Sequence, residues 1–439
     1  MITLGIDLFI FVRFGNNTEM GELTLASAGA RYLDSANKRP LVGIVNINRD
    51  VDYSKINSLQ YFEVTIIHEF THILGFSNNF FTKYFNNIYS KIDQYGKERS
   101  YINSTKVVET AKKYFNCNEI EGVALEEYGG EGTVGSHWEA RILLGDYMNG
   151  VAFDTEQVIS EFTLALLEDS GYYKAKYYTG GLMQFGKNKG CEFLNNNCIN
   201  NNKVNPKHTN EFFYDIKSSQ GNFDTACSSN RQSRAYHIIY LFNSIPQEYQ
   251  YFENQQYGGW PSADYCPVSS SDRNGEGKSI YYVGHCSEMG NNGEYGSHII
   301  YKNSNNSIYY YNSSILKDII GEKYLSNSFC VLSSLISKDI ENYKLYSSTI
   351  RAVCYEMHCS DKSLTIQINN IFIVCPRGGG KINAINFEGY LACPDYNLIC
   401  SGTVLCNDMF ECVEKKSLLK DVIYDYDIKT TQNLDTIED

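Results

Sequence analysis

The stretch Ser58-Leu-Gln-Tyr-Phe-Glu-Val-Thr-Ile-Ile-His-Glu-Phe-Thr-His-Ile-Leu-Gly-Phe76 sets the tightest constraint on what this chain folds into. Leu59, Phe62, Ile66, Phe70 and Ile73 recur at three- and four-residue steps. That spacing predicts an amphipathic helix, with Ser58 as its N-cap and Gly75 turning the chain away at its end. His68 and His72 are four residues apart, so they stack on one face of the helix, where two imidazoles can grip one metal ion. Glu69 is turned by about 100° from His68. It therefore falls beside such an ion, where a carboxylate can take a proton from metal-bound water. The alternative is a pair of solvent-facing histidines on a surface helix. With 8 His in 439 residues, the pattern His-Glu-x-x-His arises by chance in about one such chain per hundred. The capped helix and the glycine three residues after His72 weigh against chance.

A catalytic zinc takes three protein ligands and keeps a fourth position for water. The remaining histidines are His137, His208, His237, His285, His298 and His358, and carboxylates can also serve. Six residues after His72, where compact zinc proteases place their third ligand, stands Asn78. Spacing alone does not choose among these candidates.

At 439 residues the chain is too long for one ordinary core, and its 43% hydrophobic and 14% aromatic content is that of a folded protein. A net charge of −13 argues against nucleic acid or an anionic membrane surface as partner. None of the 14 cysteines precedes Cys117, they crowd between Cys354 and Cys412, and no Cys-x-x-Cys pair occurs. This is the usage of a disulfide framework in an oxidising compartment, not of a structural zinc ribbon. Sequons at Asn16, Asn103, Asn305 and Asn312 are compatible with a secreted or surface protein. Met1–Phe14 is apolar but lacks a basic n-region and a cleavage site, so it reads as neither a signal peptide nor a membrane span. The expectation is that the natural chain begins upstream of Met1.

Along the chain, Asp7–Phe14 and Leu41–Asn48 read as strands, residues 22–33 as a crossing loop with some strand, and Lys106–Phe115 as a helix. A further helix is expected within Phe153–Tyr173, capped by Thr155, with Val158, Ile159, Phe162, Leu166 and Leu167 inward and Gly171 at its end. Asn195–Lys203 reads as a low-complexity polar hinge and a domain boundary. Beyond it, short Tyr- and Ser-rich runs such as Ile280–Val283, Ile308–Tyr311, Leu364–Ile368 and Ile371–Cys375 alternate with turns, the pattern of a mainly β domain. Gly378-Gly-Gly380 is a turn, since no strand–loop–helix context makes it a phosphate loop.

His68-Glu-Phe-Thr-His72-Ile-Leu-Gly75-Phe76-Ser77, a long insert, then Gly135-Ser-His137-Trp-Glu139 resembles leishmanolysin, a family of surface zinc metallopeptidases in the metzincin clan. The resemblance continues through Gly145-Asp-Tyr-Met148-Asn, Leu164–Lys174, Gly190-Cys-Glu-Phe-Leu194 and the Cys-rich stretch Cys393–Cys412. It is strong over residues 41–198 and looser thereafter. It implies an α+β, metzincin-type catalytic unit with a long insertion before the third His, followed by a mainly β, disulfide-rich C-terminal domain. The divisions it suggests are 1–77, with the metal helix, 78–198, with the third His and Met-turn, and 199–439. Carried over by position, His137 becomes the third ligand of one Zn2+ and Met148 the apolar floor beneath it. Trp138 and Glu139 are expected to hold the loop. Family members usually carry more sheet before the point where this sequence starts, so the first strand is expected to be an interior one.

The resulting expectation is a zinc-dependent endopeptidase acting on proteins or peptides, with His68, His72 and His137 as ligands and Glu69 as general acid/base. An extended peptide would add to the edge strand bordering the cleft. The competing expectation is a surface adhesion or binding protein that keeps the fold without useful catalysis.

Overall fold

A computed structural model describes residues 7–414 apart from 22–23, 52–58, 131, 152–156, 176, 178–182, 215–225, 229–230, 238, 271–285, 287–298, 303–307, 311–318, 326, 339–349, 401–403 and 407–411. The first layer is a three-stranded sheet of β1 (Phe9–Gly15), β2 (Ala26–Leu33) and β3 (Pro40–Asn48), in the order β1-β3-β2. β1 runs parallel to β3, from Phe9 opposite Val42 to Gly15 opposite Asn48, while β2 is antiparallel to β3. The ambiguous segment 22–33 thus supplies a full edge strand. Among the described residues β1 is the other edge.

Helix α1 (Leu59–Leu74) follows this sheet. Phe62, Ile66, Phe70 and Ile73 pack on Val45 and Ile47 of β3, which explains their helical spacing. Contact is close: a Cβ at Gly43 would lie 2.4 Å from Ile73 Cγ2, so a larger residue here would push the Ile73 side chain aside. The end expected at Gly75 is present, with φ +126 and the Phe76 amide bonded to the Thr71 carbonyl. The N-cap expected at Ser58 lies outside the described residues.

Between α1 and His137 the chain makes a hairpin of β4 (Ile88–Ile92) and β5 (Glu98–Ile102), then α2 (Thr105–Phe115), then β6 (Val123–Ala124), which pairs with β5. A short helix α3 (Ala140–Leu143) follows, and α4 (Glu161–Asp169) packs on α2. Asp169, at the end of α4, accepts the Lys106 and Val107 amides at the start of α2, supplying acceptors that the first turn lacks. The helix expected from Thr155 begins only at Glu161. Ser160 is its cap, accepting the Phe162 and Thr163 amides. Val158 instead forms a bridge with Asp146, so its apolar spacing mimics a helix that the chain has not yet entered. Thr155 itself lies outside the described residues.

Where a polar hinge was expected, Ile199–Asn200 (β7) pairs with Lys203–Val204 (β8) in a tight hairpin. Asn201 and Asn202 both take positive φ, 50° and 60°, as a type I′ turn requires. The apolar core built on Phe76, Phe115, Trp138, Met148 and Phe162 continues past this hairpin to Phe252, Cys266 and Val268.

The later part of the chain is β-rich, as expected. Strands β9 (Ser328–Ser333), β10 (Arg351–Cys359), β11 (Leu364–Ile368), β12 (Ile371–Cys375), β13 (Gly380–Ile382) and β14 (Leu391–Cys393) form one antiparallel sheet in the order β12-β11-β10-β9-β14-β13. It encloses its own core around Val353, Tyr355, Ile366 and Leu391. β11 and β12 coincide with the predicted strands, and Gly378–Gly380 turns into β13; Ile280–Val283 lies outside the described residues. Among the described residues, six disulfides brace the chain: Cys117–Cys191, Cys198–Cys266, Cys227–Cys330, Cys286–Cys354, Cys359–Cys400 and Cys375–Cys393. No described helix is long and apolar enough to cross a membrane.

Candidate metal centre

α1 lies between two apolar clusters, the sheet on one side and the core containing Val64 and Phe76 on the other. His68, Glu69 and His72 are carried between them. His137 returns to the same point after 64 intervening residues because its strand-like segment is pinned on both sides. The Glu126 amide donates to the His137 carbonyl, the Glu139 amide to the Ala124 carbonyl and the Trp138 amide to the Met148 carbonyl.

The three Nε2 atoms converge. His68 and His72 are 3.0 Å apart, and His137 lies 3.2 Å from each. Each Nδ1 faces a backbone carbonyl: Tyr147 O at 2.6 Å from His68, Phe76 O at 2.6 Å from His72 and Thr133 O at 2.9 Å from His137. A carbonyl only accepts, so each Nδ1 carries the proton and each Nε2 presents a lone pair inward. Three lone pairs at this separation repel one another unless a cation lies among them. Nitrogens 2.0–2.1 Å from a tetrahedral ion stand about 3.3 Å apart, so the donor set fits zinc.

Burial is the largest cause of depressed basicity in all three. His68 is held well below the usual imidazole range, with His72 and His137 adding to the effect, and His72 is lowered as well. His137 is lowered to about 3, with His72 the second cause. Neutral imidazoles are the form a metal needs. Glu69 is buried beside them, and burial raises its carboxyl to about 8. Among the described residues none of the other histidines joins this cluster. His208 packs edge-on against Phe193, His237 stacks on Phe213 and His358 lies 3.4 Å from Glu356; His285 and His298 lie outside the described residues.

Met148 is fully buried in a turn closed by the Asn149 amide on the Asp146 carbonyl and by Asp146 Oδ1 accepting the Met148 amide at 2.6 Å. The same turn aims the Tyr147 carbonyl at His68, and the Tyr147 hydroxyl pairs with Thr71 of α1 at 2.8 Å. Sequence reasoning missed Tyr147, Thr133 and Phe76, because a carbonyl acts without regard to its side chain and leaves no residue-type signal. Glu139 caps α3 through the Arg141 amide, and Trp138 is buried with its Nε1 on Thr163.

A second group of three potential ligands, Glu127, Glu139 and Asp264, also lies close together. Arg99 fills its centre: Nη1 is 2.8 Å from Glu127 and 3.5 Å from Glu139, and Nη2 bonds Asp264.

A helix bearing His-Glu-x-x-His with a remote third imidazole could hold a metal ion. A family model described as Leishmanolysin matches residues 2–406, and the chain belongs to that family. It is 28% identical over 437 residues to a leishmanolysin-like peptidase of Drosophila pseudoobscura pseudoobscura, covering 86% of this chain and 61% of that protein. A leishmanolysin homolog of Crithidia fasciculata is 27% identical over 429 residues, 92% of this chain and 57% of the relative. Leishmanolysin of Leishmania tropica is 29% identical over 266 residues, 59% of this chain and 38% of the relative. The chain thus spans about three fifths or less of these relatives' lengths.

Proposed function

We propose that this chain is a zinc-dependent endopeptidase of metzincin type, with the segment 78–136 as the insertion that separates the second ligand from the third. The observation that carries the reading is the convergence of three inward Nε2 atoms at 3.0–3.2 Å with a buried carboxyl alongside. His68, His72 and His137 hold one zinc ion, with Met148 as the apolar floor. Zinc held there would polarise a scissile carbonyl and acidify a water. Glu69 would accept a proton from the attacking water and pass it to the leaving amine, and its buried, low-dielectric surroundings would favour holding the proton between the two transfers. The Tyr147, Phe76 and Thr133 carbonyls keep each ring in the tautomer that binds metal. The edge of β2, unpaired among the described residues and on the sheet that supports α1, offers backbone for an extended peptide. Substrates are therefore proteins and peptides, and the six disulfides suit a secreted or surface location.

The test is hydrolysis of a denatured protein by the purified full chain, with metal analysis, with and without a chelator. One zinc per chain and hydrolysis lost on chelation and regained with zinc are expected. Hydrolysis indifferent to the chelator would overturn the proposal, and zinc bound without hydrolysis would favour the adhesion reading.

A further inference from the structure

Asp146, one residue before Tyr147, is fully buried, and among the described residues no cation pairs with its carboxylate. A charge in such a place is costly unless donors surround it. Its donors are specific. Oδ1 accepts the Met148 amide at 2.6 Å, Oδ2 accepts the Ser160 hydroxyl, and the Thr163 hydroxyl lies 3.1 Å from both oxygens. Each donor belongs to a different piece of the frame around the histidines. The Met148 amide closes the turn whose Tyr147 carbonyl holds His68. Thr163 Oγ1 receives Trp138 Nε1 at 2.9 Å while donating to Asp146. Trp138 directly follows His137, and its ring meets the ring of Phe76 edge-on at 5.2 Å; the Phe76 carbonyl holds His72. Ser160 caps α4, anchoring the assembly to the core.

We propose that Asp146 is a positioning residue for the metal centre: one carboxylate that ties the carbonyl behind His68 to the tryptophan beside His137, fixing the three imidazoles before metal arrives. The role depends on an acceptor-only group. Asparagine keeps the shape but turns an NH2 towards two hydroxyl donors, so at least one bond is lost. The Tyr147 carbonyl and the Trp138 indole then move independently, and the imidazoles lose their common focus. Partners of this kind typically change metal affinity by about 10–100-fold.

This inference rests on the zinc reading above, and the experiment separates the two. Zinc affinity of the full chain is measured by chelator competition, together with the visible spectrum of the cobalt-substituted protein and the thermal midpoint of the metal-free form. Asp146→Asn is expected to weaken zinc about 10–100-fold and to shift the cobalt bands. Thr163→Val removes one donor and the indole's acceptor and is expected to act in the same direction, by about tenfold or less; it carries the test if Asp146→Asn does not fold. Unchanged zinc affinity and cobalt bands in the variants, even with a lowered thermal midpoint, would reduce Asp146 to a fold-stabilising residue and overturn the inference. A wild-type chain that binds no zinc would instead overturn the metal reading, and this inference with it.

Discussion

Two clusters in this molecule bring three ligand-type side chains within reach of one another, and they are built on opposite principles. Around Arg99, the carboxylates of Glu127, Glu139 and Asp264 surround a guanidinium that the chain itself supplies, with Asp93 3.6 Å from its Nε. Among His68, His72 and His137 no described charged side chain stands at the focus, the outer nitrogens are tied to carbonyls, and the inner ones, 3.0–3.2 Å apart, face one another. The first cluster already holds the guanidinium of Arg99, with Lys97 3.8 Å from Asp264; in the second, no described cationic side chain stands among the imidazoles. Proximity of donors does not define a metal site. What matters is whether the chain has already filled the centre.

The sharpest test of this contrast is Glu69→Ala, which is expected to cut peptide hydrolysis about 10²–10⁴-fold while zinc stays bound; wild-type turnover in this variant would remove the glutamate from the mechanism. His137→Ala and Glu127→Gln form a matched pair for metal analysis. The first is expected to weaken zinc by more than about 100-fold, since it removes a direct ligand, and the second to leave one zinc per chain. Zinc lost from Glu127→Gln as well would break the distinction. Arg99→Met leaves buried carboxylates without their counter-ion and is expected to cost about 3–5 kcal/mol in denaturant unfolding. A near-neutral result would mean that the carboxylates there are already protonated.

The smallest effect concerns pH. Burial, opposed by Arg99 and reinforced by Asp264, raises the Glu127 carboxyl to about 7. A folded-state value above the unfolded one means stability present below about pH 4.5 and lost as pH rises through 7. The thermal midpoint of the wild type relative to Glu127→Gln is therefore expected to fall by a few degrees between pH 5 and 8. A rising difference would reverse the sign and the account of the cluster.

The metal helix was legible because its apolar steps, its histidine pair and Gly75 all report on one short segment. β11 and β12 were legible for the same reason. The approach of His137 was not: the return of the chain to His72 depends on bridges between Leu125, Trp138 and Asn149 that no local period encodes, and only family resemblance pointed to His137. The start of α4 was misread because Val158 and Ile159 continue its apolar spacing backwards, while the deciding signal was the Ser160 hydroxyl. The Asn-rich stretch looked like a linker by composition, yet asparagine's tolerance of positive φ is what lets residues 201 and 202 close a hairpin.

On the proposed zinc reading, the carbonyl of Tyr147 behind His68 would couple the ion to a part of the chain made late. The histidine pair of α1 precedes His137, the turn at Tyr147 and Thr163 in the sequence, and alone it would offer an ion only a two-point grip. Capture of the metal would then wait until the region around α4 has closed.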